Sequence, residues 1–291
     1  MTGDRGQGPV IQSALLRSEL VRLRKDRGMT QEQVALALEW SPSKMIRVEG
    51  GGSSITKVDL DALLTLYGVT SPQERERLVS RNRFARDRGW WDAYRSYGLD
   101  SVYLTYVGYE AGASVIRQSL NTVVPGLLQT REYAVVLTEN SGDAELIRPV
   151  VDLRMQRQAE LEKRSAPPVQ QYVLDEAVIR RHVGIKKDPA IMSNQLRIMA
   201  ARAESDELVT VQVIPFTVGA HPGQSGPFTL LEFDGDLPDV LYLDAGRRAI
   251  SMFVGSDPKV GEYADGFAAL LDDALSPERS IEFIRSVADE M

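Results

Sequence analysis

From Thr30 to Glu49 the residues run T-Q-x-x-x-A-x-x-L-x-x-S-x-x-x-M-x-x-V-E, a spacing that two short helices packed across a tight turn would need. Thr30 precedes Gln33 by three positions, a capping box that opens a short helix carrying Val34, Ala35 and Leu38. Ser41 followed by Pro42 is a cap with proline at the first helical position, where its missing N–H is no loss. The helix it opens runs through Met45, Ile46 and Val48 to the glycines at 50–52. Small Ala35 permits close approach, and Val34, Leu38, Met45 and Val48 are spaced to form a shared core. Upstream, Leu15, Leu16, Leu20, Val21 and Leu23 predict a helix capped by Ser13 and stopped at Gly28. Downstream, Thr56 to Tyr67 is a fourth helix, and a fifth starts at Ser71 and Pro72 and runs through a charged stretch to Gly89. The expectation is an all-α N-terminal domain of about five helices over residues 13–88, behind a flexible tail over residues 1–12.

At 291 residues the chain has room for a second domain. Trp90, Trp91, Tyr94, Tyr97, Tyr103, Tyr106 and Tyr109 make residues 89–109 an aromatic junction. Such rings pack a linker onto a neighbouring domain or wall a ligand pocket. Val123 to Leu128 reads as a turn around Pro125 and Gly126, and Thr130 to Leu137 and Leu146 to Leu161 read as helices. Strand signals then appear at Val169 to Leu174, Val209 to Ile214, Phe228 to Phe233, Val240 to Leu243 and Ala249 to Val254. Helices are expected at Pro189 to Glu204, Lys259 to Leu275 and Ser276 to Glu290. Residues 110–291 are therefore predicted as an α+β domain with a mostly antiparallel, hairpin-linked sheet, which makes the chain multidomain.

The chain has no cysteine and two histidines, which removes disulfides, thiolate metal sites and a cysteine nucleophile and leaves little for any metal centre. No apolar run reaches the roughly 18 residues of a membrane helix, and Met1 to Pro9 lacks a signal-peptide core, so a cytoplasmic protein with no membrane partner is expected. The net charge of −7 averages unlike parts: residues 1–88 carry +4 and the remainder −11. A basic head on an acidic body fits a small polyanion-binding module attached to a domain with another task.

Catalysis has no visible carrier. Asp175 and Glu176 are adjacent in a predicted strand and so face opposite sides, which prevents paired acid–base work. His182 sits beside Arg180, Arg181, Lys186 and Lys187 in what reads as a solvated basic turn or an anion pocket. His221 falls in H-P-G-Q-S-G-P, a loop that lacks the order of a phosphate-cradling motif. A non-enzyme with no cofactor and no metal is expected.

The three helices at 13–50 fit a helix-turn-helix, whose third helix lies in the DNA major groove. Its outward polar positions, Ser43, Lys44 and Arg47, with the cap Ser41 beside them, are the candidate DNA contacts, and Arg47 is the best placed for bidentate bonding to guanine. Gln31 is placed to meet a phosphate. Ser53, Ser54, Thr56 and Lys57 read either as a second phosphate clamp or as a turn with a capping threonine. Residues 13–67, through T-Q-E-Q-V-A-L-A-L at 30–38 and S-P-S-K-M-I-R-V-E-G at 41–50, resemble the Cro/repressor-type, or Xre-type, helix-turn-helix domain. Glu39 stands where that family usually has a glycine favouring positive φ. The strings V-P-G-L-L-Q-T-R-E-Y-A at 124–134, V-L-D-E-A at 173–177, V-Q-V-I-P-F at 211–216, H-P-G at 221–223 and G-P-F-T-L-L-E-F at 226–233 resemble the antitoxin-like C-terminal domain of actinobacterial Xre-type regulators. The resemblance implies a sequence-specific transcriptional regulator, a repressor before an activator, whose second domain binds a small partner protein encoded nearby or a ligand. Because one small helix-turn-helix covers limited DNA, binding to double-stranded DNA as a homodimer is expected. The alternatives are an antitoxin-like module that sequesters a small partner, with DNA binding for autoregulation, and a small-molecule sensor or vestigial enzyme using a pocket near the aromatic junction.

Overall fold

The computed structural model describes residues 8–140, 143–244, 250–255 and 257–291. It divides into two compact units, residues 1–92 with 235–237 and residues 93–234 with 238–291.

The N-terminal unit comprises α1 (Pro9–Asp26), α2 (Gln31–Ala37), α3 (Pro42–Gly50), α4 (Lys57–Leu66) and α5 (Pro72–Phe84). Local capping chemistry sets most of these starts. The Thr30 hydroxyl accepts from the Gln33 amide while the Gln33 side chain accepts from the Thr30 amide, so two orphan donors of α2 are satisfied reciprocally. Ser41, Thr56 and Ser71 likewise accept from the amides of Lys44, Asp59 and Glu74. Two boundaries differ from expectation. The first helix begins at Pro9 and not at a Ser13 cap, because Ile11 and Gln12 are buried and must lie on a helical face. Ser13 instead accepts a hydrogen bond from Arg17 at 2.8 Å. Residues 1–7 of the expected tail lie outside the described residues. The fifth helix ends at Phe84, five residues before Gly89. Gly89 answers a different need: a Cβ there would lie 2.4 Å from the Trp91 indole.

Leu20, Val34, Met45, Val48, Leu60, Leu63 and Leu78 fill one apolar core. Along its edge runs a buried ion pair. Arg24 of α1 grips Glu49 of α3 with two nearly parallel N–H···O bonds of 2.7 and 3.0 Å, and donates a third to the Met29 carbonyl at 2.8 Å. Glu49 also accepts from the Gln31 amide of α2 at 2.7 Å, and its side chain is only 4% exposed. The turn between α2 and α3 carries Glu39 at φ 54°, the one positive φ outside glycine among the described residues. A non-glycine residue held there costs roughly 1–2 kcal/mol.

The C-terminal unit corrects the predicted sheet. Its strands are β1 (Val115–Leu120), β2 (Val169–Asp175), β3 (Val209–Ile214), β4 (Phe228–Glu232), β5 (Val240–Asp244) and β6 (Ile250–Val254), in the order β3-β2-β1-β4-β5-β6. Ala249, expected in the last strand, lies outside the described residues. The sheet is mixed, not mostly antiparallel: β1, β2 and β3 are parallel neighbours, while β4, β5 and β6 continue antiparallel from β1. Parallel neighbours need crossovers, and the helices α7 (Arg131–Glu139) and α8 (Ala144–Glu162), then α9 (Glu176–Arg180) and α10 (Ala190–Ser205), supply them. The missing strand is the central one. Val115–Leu120 reads V-I-R-Q-S-L, too polar to signal a core strand. Before β1 stands α6 (Ser101–Glu110), and α11 (Pro258–Asp273) and α12 (Pro277–Glu290) close the chain. Phe267 and Leu270 of α11 pack with Val173, Phe228, Leu230 and Leu241 of the sheet.

Three variants test this framework. Trp40, Trp90 and Trp91 all fall in the N-terminal unit, so tryptophan fluorescence follows its unfolding alone. Glu39→Gly should stabilise that unit by about 0.5–1 kcal/mol and Glu39→Val destabilise it by about 1–2 kcal/mol in urea titrations. Glu49→Gln, which leaves Arg24 buried without a countercharge, should cost about 3 kcal/mol. A neutral result for it would remove the ion pair as the organiser of α3.

Candidate nucleic-acid interface

Helix α3 has two unlike sides. Met45 and Val48 are buried and Glu49 faces Arg24, whereas Ser43, Ile46 and Arg47 are exposed together. Positions 43, 46 and 47 recur at helical spacing and so share one face. Arg47 has no hydrogen-bond or ion-pair partner among the described residues, so its fork of donors is unspent. Ile46 is 55% exposed. The sequence pattern had placed Ile46 only among the apolar residues of the helix. Its offset of one from Met45 and two from Val48 was the signal that it points away from the core.

The other candidate residues are distributed as follows. Ser41 is exposed and caps α3. Lys44 is partly buried: its Nζ donates to Asp59 Oδ1 at 2.7 Å and sits 3.8 Å from the centroid of the Trp40 ring. It lies at the edge of the outward face, held by α4. Gln31 gives one amide hydrogen to Glu49, which leaves its second N–H unspent. Ser53, Ser54, Thr56 and Lys57 are exposed before and at the start of α4, and the Thr56 hydroxyl caps it by accepting from Asp59. Lys57 has no partner among the described residues. Several other cations of this unit are paired: Arg22 with Glu19 and Asp26, Arg77 with Glu19 and Arg75 with Asp61.

In the C-terminal unit Asp175 and Glu176, which were not expected to work as an acid–base pair, have structural partners. Asp175 ends β2 and caps α9, so it and Glu176 are not successive residues of one strand as predicted. Asp175 accepts from the Ala177 amide at 2.7 Å and bonds His221 Nε2 at 3.0 Å. Glu176 accepts from Arg180 at 2.5 Å and from the Phe216 amide at 2.7 Å. His182 contacts the Pro189 carbonyl at 3.1 Å, while Arg180 and Lys187 pair with separate carboxylates, Glu176 and Glu139. No group of three His, Asp or Glu side chains among the described residues is placed to hold a metal ion. None of the described helices is long and apolar enough to cross a membrane.

The aromatic stretch divides between the two units. Trp90 and Trp91 meet edge to face with centroids 5.6 Å apart. Further on, Tyr103 and Tyr106 line a cavity of about 150 Å³ within the C-terminal unit.

Residues 103–286 match a family model described as a domain of unknown function, DUF5753. Residues 15–78 match a helix-turn-helix domain. No curated protein and no solved structure matches the chain.

The Lys44–Asp59 contact generates a pH prediction. Burial acts to raise the Asp59 carboxyl, but the hydrogen bonds from Lys44 and Thr56 outweigh it and hold the group below the usual carboxylate range. A depressed carboxyl contributes stability above its unfolded value, about 3.9, and loses it as pH falls through the lower folded value. Between about pH 5 and pH 2 the wild-type N-terminal unit should therefore lose more stability than Asp59→Asn. Parallel acid-dependence curves for the two proteins, followed by tryptophan fluorescence, would refute the assignment.

Proposed function

The chain belongs to the family of the domain of unknown function DUF5753, and, given the helix-turn-helix domain that precedes it, we propose that it is a sequence-specific DNA-binding transcriptional regulator. The observation that carries this reading is the outward face of α3, where Ser43, Ile46 and Arg47 are exposed on a helix whose opposite side is fixed by Glu49 and the core. A helix of this kind fits the major groove, where Arg47 donates to guanine O6 and N7, Ser43 bonds a base edge and Ile46 meets a thymine methyl. Gln31, Ser41, Ser54, Thr56 and Lys57 take phosphates and set the register. Lys44 joins them by exchanging Asp59 for a phosphate.

In this reading the protein is an Xre-type repressor acting as a homodimer on half-sites about 10 bp apart or a multiple of that. The C-terminal unit responds to a ligand or a small partner protein; its cavity favours the ligand. The antitoxin-like alternative, sequestration of a small partner, is distinguished by co-purification of a stoichiometric small protein.

The test begins with selection of a preferred duplex from a random library, followed by fluorescence anisotropy on that site and on an unrelated one. Arg47→Ala should cost about 1–3 kcal/mol on the selected site and little on the other. Lys57→Ala should weaken both alike and lower the salt slope by about 1. Equal losses for Arg47→Ala on both duplexes would remove it as the base reader, and failure of the library to enrich any sequence would sink the reading itself.

A further inference from the structure

Two arginines one turn apart on α8 meet very different surroundings. Arg157 is buried and fully compensated: it grips Glu110 with bonds of 2.7 and 2.5 Å and donates to the Tyr103 hydroxyl at 2.9 Å. The Tyr106 hydroxyl adds a 2.6 Å bond to the same carboxylate. Arg154 has no such partner. Among the described residues its one hydrogen bond goes to the neutral Gln129 side chain at 2.9 Å, and no carboxylate pairs with it. Burial disfavours its charge, and the neighbouring Arg157 disfavours it further. A guanidinium keeps its proton in such a place, and half-buried Arg154 carries its charge with no carboxylate beside it among the described residues.

Arg154 and Arg157 both line the cavity of about 150 Å³. Its aromatic wall is a stack of Tyr106 on Tyr242, with ring centroids 4.2 Å apart and planes 25° from parallel, backed by Tyr103 and Phe228. Two polar atoms on the lining are buried without a hydrogen-bond partner among the described residues, the Tyr242 hydroxyl and Gln118 Oε1. Gln118 spends its amide hydrogens on Thr229 and Tyr106, so its oxygen is a pure unspent acceptor. Buried polar atoms left unpaired cost roughly 1–3 kcal/mol each, and two of them beside an uncompensated cation describe a site whose occupant completes it. Asp244, exposed, stands on the rim.

The dimensions and chemistry select the occupant. A void of about this volume holds a single six-membered ring. Stacked tyrosines favour a planar ring, the planar fork of Arg154 favours a carboxylate, and one uncompensated charge calls for a monoanion. We propose that the C-terminal unit binds a single-ring aromatic carboxylate, with Arg154 on the carboxylate and with Tyr242 and Gln118 supplying the remaining donor and acceptor. This goes beyond the DNA-binding reading, and its test is separate from it: a failed ligand titration leaves the operator experiment untouched.

The probes are benzoate and its three monohydroxy derivatives, with benzamide as the neutral isostere, titrated calorimetrically into the full-length chain and checked by thermal shift. The expected result is one-to-one binding of at least one acid with Kd below about 1 mM, and benzamide weaker by about tenfold or more. Arg154→Met should abolish binding or weaken it by at least about tenfold. Tyr242→Phe keeps the ring and its stack, removes only the unpartnered hydroxyl, and should weaken binding by a smaller factor. Circular dichroism checks both variants; if Arg154→Met is unfolded, the benzamide comparison and Tyr242→Phe decide. Absence of heat and of thermal shift for every acid at about 10 mM overturns the proposal. So does benzamide binding as tightly as benzoate, or wild-type affinity in both variants.

Discussion

The N-terminal unit depends on the buried contact between Arg24 and Glu49. Apolar packing of Met45 and Val48 pulls α3 onto the core but is indifferent to small rotations about the helix axis. A two-pronged guanidinium–carboxylate bond is directional, and here it is tied at both ends: Arg24 also holds the Met29 carbonyl and Glu49 also holds Gln31. Three helices therefore meet at one charge pair, and the rotation of α3 follows. The capping serines and threonines decide where helices begin; the ion pair decides which way the third one faces.

The same physics recurs with a different outcome in the C-terminal unit. Glu110 neutralises Arg157 and receives the Tyr106 hydroxyl, so that the charge pair closes on itself within the fold. Arg154, one turn earlier, lacks a counterpart carboxylate among the described residues. A saturated pair holds elements together, whereas an unsaturated cation against a cavity leaves the fold with something still to bind. The polar character of β1 belongs to this design: Gln118 faces the cavity and Arg117 pairs with Glu232 across to β4. A strand at the centre of the sheet thereby carries polar side chains among its apolar ones.

That mixture limited what could be read from sequence. Helix starts were legible because a side-chain cap acts on an amide three residues on and needs no tertiary context, as at Thr30, Ser41, Thr56 and Ser71. The left-handed turn at Glu39 was legible through the resemblance, which marks that position as a glycine site. β1 was not, since R-Q-S interrupts its apolar alternation. Strand direction was not either: whether two strands run parallel depends on helices between them returning the chain, and β1, one of the two strands that pair in parallel with β2, was overlooked. Of the site, Arg47 and Ser43 were visible as polar positions on one face. The commitments of Lys44 to Asp59 and Gln31 to Glu49 span 15 and 18 residues and belong to tertiary structure. Arg154 was hidden for the opposite reason, because no local pattern announces the lack of a carboxylate.

Ser43, Ile46 and Arg47 contribute almost nothing to holding their own helix in place, since the work is done by Glu49 and the buried face behind them. The three share one face of α3, turned away from its buried side. The outward edge of α3 is therefore an interchangeable cartridge. In the DNA-binding reading proposed above, gene duplication followed by a handful of codon changes at these positions would redirect a copy of this protein to a new address.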